Sequence, residues 1–209
     1  MIRKILAFTA LVFSLGSCTK DFDGVNVSPN SPASIPLNYQ LSQAQLYIGG
    51  SAGDPGYATW RANLIYALPN TQMFSSLSTF YAGDKYLYQA DLSEAYFNTQ
   101  YPNSIKNLVD IIDKSKADPK LVNTLSIARI LRVLQISIIT DLYGDVPYSE
   151  AGLGYLDLNY SPKYDAQKDI YADMLKELTE AGTALNATAS NPGAADLVYG
   201  GDSQMEKIC

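Results

Sequence analysis

The side chains best able to do chemistry in this sequence are carboxylates, because the 209-residue chain contains no histidine. Serine and cysteine nucleophiles paired with an imidazole base are therefore excluded, and the commonest zinc ligand is missing. Two carboxylate pairs have the residue types needed for acid–base cleavage of a glycosidic bond, namely Asp141 with Asp145 and Glu177 with Glu180. The first pair flanks the end of a predicted helix, and the second pair is expected on a solvated helix face. We therefore interpret both pairs as structural and predict no enzymatic activity.

Other reactive or ligand-binding patterns are absent from the sequence. Asp84 could bind calcium, but a lone carboxylate does not indicate a metal site. The pairs Gly49-Gly50 and Gly200-Gly201 lack the strand, spacing and lysine of a phosphate-binding loop. The formal net charge of -6 disfavours binding to a phosphate backbone. We expect no cofactor, no metal and no nucleic-acid partner.

Aromatic side chains offer a different chemistry, since flat rings stack on the apolar faces of sugar rings. The chain has 16 tyrosines and one tryptophan, and most of these are expected to pack between helices. A cluster on a predicted loop has less packing reason to exist, and we predict that it forms part of a ligand platform. Trp60 is a further candidate, although its place on an apolar stripe favours a core position. The candidate ligand-binding residues are Trp60, Tyr81, Asp84, Tyr86 and Tyr88.

The N-terminus has the parts of an export signal. Arg3 and Lys4 precede an apolar run that is too short to cross a bilayer, and the small residues of "LGSC" follow. This tetrapeptide resembles the lipobox of bacterial lipoproteins, in which the cysteine becomes the lipidated first residue. We predict that residues 1–17 are a lipoprotein signal peptide and that Cys18 carries acyl chains such as palmitate.

Two alternatives for Cys18 are weaker. One is an ordinary signal peptide that happens to contain a cysteine. The other is a disulfide with Cys209, the only other cysteine, but two distant cysteines do not make the dense framework of small secreted domains. We assign Cys209 no role beyond that of an ordinary core thiol.

Hydrophobic periodicity predicts a mainly helical domain at residues 37–209, after a flexible tether rich in Asn, Ser and Pro at residues 18–36. Only residues 74–92 have a weak strand pattern. A Gly- and Tyr-rich loop, "AGLGYLDLNYSPKY", separates the last two predicted helices. Loops of this length are usually functional. The predicted helices are 37–48 ending at Gly49, 60–68 closed by Pro69, 105–112 capped by Ser104, 121–143, and 165–185.

The helix at residues 121–143 is apolar almost all round, which predicts a central, buried position. Arg129 and Arg132 lie on one of its faces, and we expect them to pair with acids or carbonyls of neighbouring segments. The same cations argue against a membrane span. Gly144 is expected to end the helix in a left-handed conformation, and Pro147 prevents its continuation.

The segment 127–151, "IARILRVLQISIITDLYGDVPYSEA", resembles the most recognisable part of the SusD/RagB-like family of Bacteroidetes outer-membrane lipoproteins. The lipobox agrees with this family, and so do the later stretches "SPKYDAQKDIYADMLKELTEA" and "DLVYGGDSQMEKI". The positions that match the central motif are Asp141, Tyr143, Gly144, Asp145, Val146, Pro147 and Tyr148.

The resemblance implies an all-α, tetratricopeptide-like scaffold of helix pairs with long loops, anchored by lipid in the outer membrane and facing the cell exterior. Such proteins capture a nutrient, most often an oligosaccharide and in some members a peptide. They deliver it to a TonB-dependent SusC-like transporter and have no catalytic activity. In them, early loops between helices contribute to the ligand face.

The resemblance also has a departure, because members of this family are typically more than twice as long. We therefore expect residues 37–209 to be the N-terminal part of the helical domain, incomplete at its C-terminus. Two other functions are compatible with the residues alone. One is a surface glycosidase that uses paired carboxylates, and the other is a membrane-anchored helical scaffold that binds protein partners.

Overall fold

The computed structural model describes residues 35–49, 60, 67–78, 83–202, 204 and 207 of the chain. The described residues from Pro36 onward belong to one compact unit. The predicted signal peptide, Cys18 and nearly all of the predicted tether lie outside the described residues, so these assignments remain predictions.

Helices dominate the described residues, which confirms the all-α prediction. The long helices are α1 (Leu37–Gly49), α2 (Ala90–Gln100), α3 (Lys106–Lys116), α4 (Val122–Tyr143) and α5 (Gln167–Ala184). Single helical turns occupy Leu68–Asn70, Gly83–Lys85, Pro119–Leu121 and Gly193–Ala195. Strand pairing within the described part of the chain is limited to a short antiparallel ladder between β1 (Val146–Pro147) and β2 (Tyr164–Asp165).

The helices α2 and α3 form one run, joined by the π-helical turn Tyr101–Ile105. This wider turn contains Pro102, which has no backbone N–H and therefore cannot donate the usual helical hydrogen bond. The N–H of Lys106 donates to the carbonyl of Tyr101, five residues earlier. The proline is thus accommodated by a local widening, and the helical run continues.

The central helix is α4, which packs against both α3 and α5, while α1 packs against α3. Its predicted inner residues Ile127 and Ala128 are buried, and so are Ile130 and Ile136 on its other faces. Contact on several sides explains why its sequence is apolar almost all round.

Among the described residues, two hydrophobic clusters form the core, and α4 contributes to both. One lies where α4 meets the π-helical turn, β1 and the start of α5; the other lies where α4 meets α1, α3 and the end of α5. Leu178 of α5 packs against both clusters. Large buried members of the first are Tyr96, Ile105, Ile136, Ile139, Ile170 and Met174, and those of the second are Leu41, Leu108, Ile111, Ile127 and Leu185.

A buried polar link ties α1 to the segment that follows α5. Gln45 and Asp196 are 5% and 2% exposed, and Gln45 Nε2 donates to Asp196 Oδ1 at 2.6 Å. The backbone N–H of Leu197 donates to Gln45 Oε1 at 2.7 Å. Because buried polar groups are costly when unpaired, this reciprocal pairing fixes where the segment docks. The carboxylate of Asp196 also accepts backbone N–H groups of Val198, Tyr199 and Gly201.

The weak strand prediction at residues 74–92 is wrong where the structure describes this stretch. A helical turn and the first residues of α2 lie there instead. The sequence of α2 has few aliphatic residues, and its buried positions are Tyr96 and Gln100. A hydrophobic pattern built on Leu, Ile and Val therefore does not reveal this helix.

Two predicted helix ends are also wrong. Ser104 does not cap a helix, because it is buried inside the π-helical turn of a run that begins at Ala90. The segment predicted to close at Pro69 continues to Asn70, because Ala67 is already helical and Pro69 lies within the turn Leu68–Asn70.

The segment Pro119–Tyr143 is long and apolar enough to cross a bilayer by length and composition, with a mean hydropathy of 1.4. However, 61% of its most apolar window is buried inside the structure. We interpret α4 as a core helix, as the cations Arg129 and Arg132 already suggested.

Candidate functional site

Two of the predicted ligand-binding tyrosines project into solvent from the segment before α2. The turn Gly83–Lys85 is followed by Tyr86, which has a left-handed φ of 53°. Tyr86 and Tyr88 are 71% and 83% exposed. Core packing does not account for rings in such positions, so both rings are available to a ligand.

A second segment, residues 67–78, is hydrogen-bonded to the segment that carries Tyr86. Lys85 Nζ donates to the carbonyl of Ser76 at 2.6 Å. The hydroxyl of Tyr86 donates to the carbonyl of Asn70 at 3.3 Å. The two loop segments therefore form one hydrogen-bonded layer.

Asp84 lies inside this layer, and its side chain is only 9% exposed. Its carboxylate accepts the backbone N–H of Ser76 at 3.1 Å and lies 3.8 Å from Lys85 Nζ. Its carbonyl accepts Gln72 Nε2 at 2.7 Å. Asp84 thus positions the loop, and a direct contact of its carboxylate with a ligand remains a prediction.

Several apolar side chains of this layer are exposed and were not candidates from the sequence. Met73 and Phe74 are 71% and 52% exposed, although their stretch resembles a strand in pattern. Exposed apolar groups gathered in one region mark interaction sites more often than chance placement does. We name this group the loop patch; its members are Met73, Phe74, Leu77, Tyr86, Leu87 and Tyr88.

For the remaining predicted residues, the described structure gives no location relative to the loop patch. Trp60 is partly buried. Tyr81 lies outside the described residues, as does the lipid-attachment candidate Cys18. Their roles stay predictions.

The turn after α4 is built around Arg132 and Tyr148. Arg132 Nη2 donates to the carbonyl of Tyr148 at 2.9 Å, and the guanidinium carbon lies 4.6 Å from the centroid of that ring. The hydroxyl of Tyr148 donates to Asp173 Oδ2 at 2.7 Å. Burial, together with this hydrogen bond, raises the pKa of Tyr148. Both side chains are used to fix the turn, as expected for Arg132.

Tyr143, the other tyrosine of the turn motif, also has structural partners. Its hydroxyl donates to the carbonyl of Ser93 at 2.8 Å and accepts the backbone N–H of Phe97 at 3.2 Å. Its ring meets the ring of Phe97 edge-on, with centroids 5.6 Å apart. The tyrosine thereby fastens the end of α4 to α2.

Arg129 pairs with α5, as expected for a cation in an apolar helix. Arg129 Nε donates to Glu177 Oε2 at 2.8 Å, and Nη2 donates to Glu180 Oε2 at 2.6 Å. The Glu177 side chain is only 20% exposed, so its predicted place on a solvated face is wrong. The hydrogen bond from Arg129 lowers the pKa of Glu177 below 4.5, although burial acts in the opposite direction.

The other carboxylate pair joins the end of α4 to the start of α5. The hydroxyl of Tyr171 donates to Asp141 Oδ1 at 2.5 Å, and the backbone N–H of Gln167 donates to Asp145 Oδ1 at 2.9 Å. Both candidate pairs are therefore committed to structural bonds. Across the described ranges, no group of three or more acidic or thiol side chains is placed to hold a metal ion.

A cleft of about 340 Å³ lies beside Tyr148. Burial has the largest effect on Asp165 and would raise its pKa, but hydrogen bonds from Ser149 and Tyr148 outweigh burial and lower the pKa below 3.8. Because Asp165 and Asp173 already accept hydrogen bonds from the turn, we interpret the cleft as part of its support. The cleft is lined by Arg132, Tyr148, Ser149, Asp165, Asp169, Ile170 and Asp173.

Comparison with known proteins gives one family. The SusD-like family model, described as starch-binding associating with outer membrane, matches residues 53–207. A solved chitin-binding protein is 38% identical, with a TM-score of 0.72 over 82% of this chain and 36% of that protein. A SusD-like protein from Bacteroidetes AC2a is 29% identical, with a TM-score of 0.68 over 83% of this chain and 31% of that protein.

A SusD homolog from Bacteroides ovatus shares the fold at 22% identity, with a TM-score of 0.62 over 82% of this chain and 34% of that protein. No curated protein sequence matches this chain. The chain thus spans about a third of the length of the solved proteins that it resembles.

Proposed function

The chain belongs to the SusD-like family, and on that premise we propose that it captures an oligosaccharide at the outer membrane through the loop patch. The observation that carries this proposal is the exposure of Tyr86 and Tyr88, at 71% and 83%, on a hydrogen-bonded loop layer. A ring that is exposed and already held in place can stack on a sugar with little loss of conformational freedom.

The chemistry of the loop patch fits a carbohydrate. Pyranose rings have an apolar face of C–H groups, which the rings of Phe74, Tyr86 and Tyr88 can cover. Polar groups of the same layer, such as Gln72 and the hydroxyl of Tyr88, can exchange hydrogen bonds with sugar hydroxyls. In this proposal Asp84 positions the layer, while Tyr81 and Trp60 complete the platform.

The comparisons suggest which sugars to test first. The family is described as starch-binding, and the 38% identical relative is named a chitin-binding protein. Starch and chitin are both neutral polymers of pyranose rings. The net charge of -6 also favours neutral over acidic glycans.

The wider proposal is that of a nutrient-binding lipoprotein. Lipid at Cys18 anchors the protein to the outer membrane, facing the cell exterior, and a SusC-like TonB-dependent transporter receives the captured sugar. The protein does not cleave its ligand. The absence of cleavage is supported by the structural hydrogen bonds of the four candidate acids, which are Asp141, Asp145, Glu177 and Glu180.

The test is electrophoresis of the full chain through native gels that contain amylopectin or glycol chitin. We expect one of these polymers to slow the protein, and Tyr88→Ala and the double variant Tyr81→Ala/Tyr86→Ala each to weaken this retention about tenfold, which corresponds to about 1.4 kcal/mol. Tyr39→Ala is the matched control, since Tyr39 of α1 is also 71% exposed but lies outside the loop patch. Retention that survives all substitutions in the patch would contradict the proposal.

Two other results would point to a different function. If no glycan in a panel retains the protein but the protein binds members of a peptide library, it would be a peptide-binding member of the same family. Binding to neither, with capture of a protein partner, would favour a helical interaction scaffold.

A further inference from the structure

A second set of exposed rings lies on the loop between β1 and β2, which we name the tyrosine loop (residues 152–163). Tyr155, Leu158 and Tyr160 are 62%, 71% and 76% exposed. Leu153 and Leu156 of the same loop are partly buried and pack against the first core cluster. The loop is therefore anchored in the core while it displays large apolar side chains to solvent.

Hydrogen bonds fix the shape of the tyrosine loop at several points. Asn159 Nδ2 donates to Glu150 Oε2 at 2.9 Å, and the backbone N–H of Lys163 donates to the same oxygen at 3.3 Å. The hydroxyl of Tyr155 donates to Asp110 Oδ1 of α3 at 3.2 Å. A loop held in this way offers its side chains in one arrangement, which lowers the entropic cost of binding.

The ring of Tyr160 lies beside Gly154. A Cβ atom added at Gly154 would lie 3.4 Å from Tyr160 Cδ1, so the ring occupies the space next to this glycine. The side chain nevertheless remains 76% exposed. The ring is thus supported on the protein side and open to solvent elsewhere, which is the arrangement that stacking requires.

Leu158 supports a functional interpretation of the loop. This residue has a left-handed φ of 55°, which costs free energy for a branched side chain, and it is exposed. Neither the strain nor the exposure improves the stability of the fold. Such features gather at binding sites, where a defined loop shape is retained for a ligand.

We propose that the tyrosine loop is a second carbohydrate-binding platform, in which the ring of Tyr160 stacks on a pyranose ring of a neutral oligosaccharide. This inference rests on the proposed function and adds a second point of attachment for the same polymer. Asp157 lies three positions before Tyr160, is exposed, and provides a carboxylate for sugar hydroxyls. Acidic sugars are disfavoured, because Glu150 and Asp157 place negative charge on this part of the chain.

Two platforms on one chain give a specific advantage with a polymer. Once one platform holds a glycan, the second binds it at a high effective concentration, so avidity exceeds the affinity of either platform alone. Loss of the tyrosine loop should therefore weaken retention by a long polysaccharide more than it weakens binding of a short oligosaccharide.

The test uses the full chain with maltohexaose and chitohexaose as calorimetric probes and with amylopectin and glycol chitin in native gels. The wild type should bind two molecules of one hexasaccharide per chain. Tyr160→Ala should bind one, and its retention by the matching polymer should fall about tenfold. Tyr160→Phe should keep both sites because it keeps the ring. Tyr39→Ala is the control for loss of an exposed tyrosine, and thermal melting followed by circular dichroism confirms that each variant folds.

The outcomes separate this inference from the proposed function. One outcome is that a glycan binds the wild type and Tyr88→Ala weakens this binding, whereas Tyr160→Ala changes neither the stoichiometry nor the retention. In that case the second platform is overturned and the first platform stands. If no glycan binds the wild type, the proposed function fails and this inference fails with it. If Tyr160→Ala instead loses a protein partner while glycan binding is unchanged, the loop is a protein-docking surface and the inference is wrong.

Discussion

Arg129 of α4 and Glu177 of α5 form an ion pair in which Nε lies 2.8 Å from Oε2. A cation inside an apolar helix predicts an acidic or carbonyl partner, because an unpaired charge in a protein interior is costly. Which acid becomes the partner depends on how α4 and α5 pack against each other. The spacing of Glu177 and Glu180 alone suggested a solvated face, whereas the packing leaves Glu177 only 20% exposed.

Substitution of Arg129 by methionine should lower the free energy of unfolding by about 2 kcal/mol, because it leaves Glu177 half-buried without its partner. Urea denaturation of the purified protein measures this change. Lys176→Met is the control: this lysine is 67% exposed and pairs only loosely with Glu180, at 3.9 Å, so its loss should cost less than about 0.5 kcal/mol. Equal effects of the two substitutions would contradict the structural role of Arg129.

The same pair predicts a dependence on pH. The pKa of Glu177 is lower in the folded protein than its ordinary value of 4.5. Its contribution to stability is therefore fully present above about pH 4.5 and is lost as the pH falls through the folded-state pKa. The difference in unfolding free energy between wild type and Glu177→Gln should be largest near pH 7 and shrink in acid. A difference that is the same from pH 7 to pH 3 would refute this prediction.

The candidate site is predictable from the sequence only in part. A loop position was enough to suggest that Tyr86 and Tyr88 lie in solvent, as they do. The burial of Asp84 was not predictable, because it depends on a hydrogen bond to Ser76 across the loop layer. Phe74 was missed because it lies in the stretch 74–92 with a weak strand pattern, and nothing in a local window distinguishes exposed apolar residues from buried ones.

At the level of elements, helices with an aliphatic stripe were predicted well. The helices α1, α4 and α5 begin and end close to where periodicity and glycine placed them. The failures are of another kind. The α2 helix buries a tyrosine and a glutamine, and the junction of α2 with α3 passes through a proline that sequence rules treat as a helix boundary.

Gly152 gives a prediction for the tyrosine loop as an element. It has a φ of +78°, and a Cβ atom there would lie 3.0 Å from Val109 Cγ2 on α3. Gly152→Ala should therefore lower the free energy of unfolding by about 2 kcal/mol, through backbone strain and a steric clash. The matched control is Gly182→Ala in α5, where a Cβ atom meets nothing within 4 Å. That change should stabilise the protein by about 0.5–1 kcal/mol, because alanine favours a helix interior.

Thermal and urea unfolding of the two glycine variants measure these opposite effects. A neutral Gly152→Ala would contradict the packing of the loop on α3, whereas destabilisation by Gly182→Ala would contradict the open space beside that glycine. Any loss of glycan retention in Gly152→Ala at a temperature where it remains folded would further connect the shape of the tyrosine loop to binding.

For the molecule as a whole, the predicted lipid anchor determines the cellular location of the protein. Cys18→Ser should abolish incorporation of labelled palmitate in bacterial cells and should move the protein from the membrane fraction to the soluble fraction. Cys209→Ser is the matched control and should leave both properties unchanged. Continued labelling of Cys18→Ser would refute lipid attachment at this residue.

The link between Gln45 and Asp196 has a consequence for the order of events during folding. The two residues are 151 positions apart in sequence, yet each provides the other's buried hydrogen-bonding partner. The helix α1 can form from local contacts, but Gln45 reaches these partners only when residues 196 and 197 dock on it. Contacts between such distant residues form slowly, because the entropy of closing a long loop must be overcome first. The earliest helix of this domain is therefore among the last to reach its final hydrogen-bonded state.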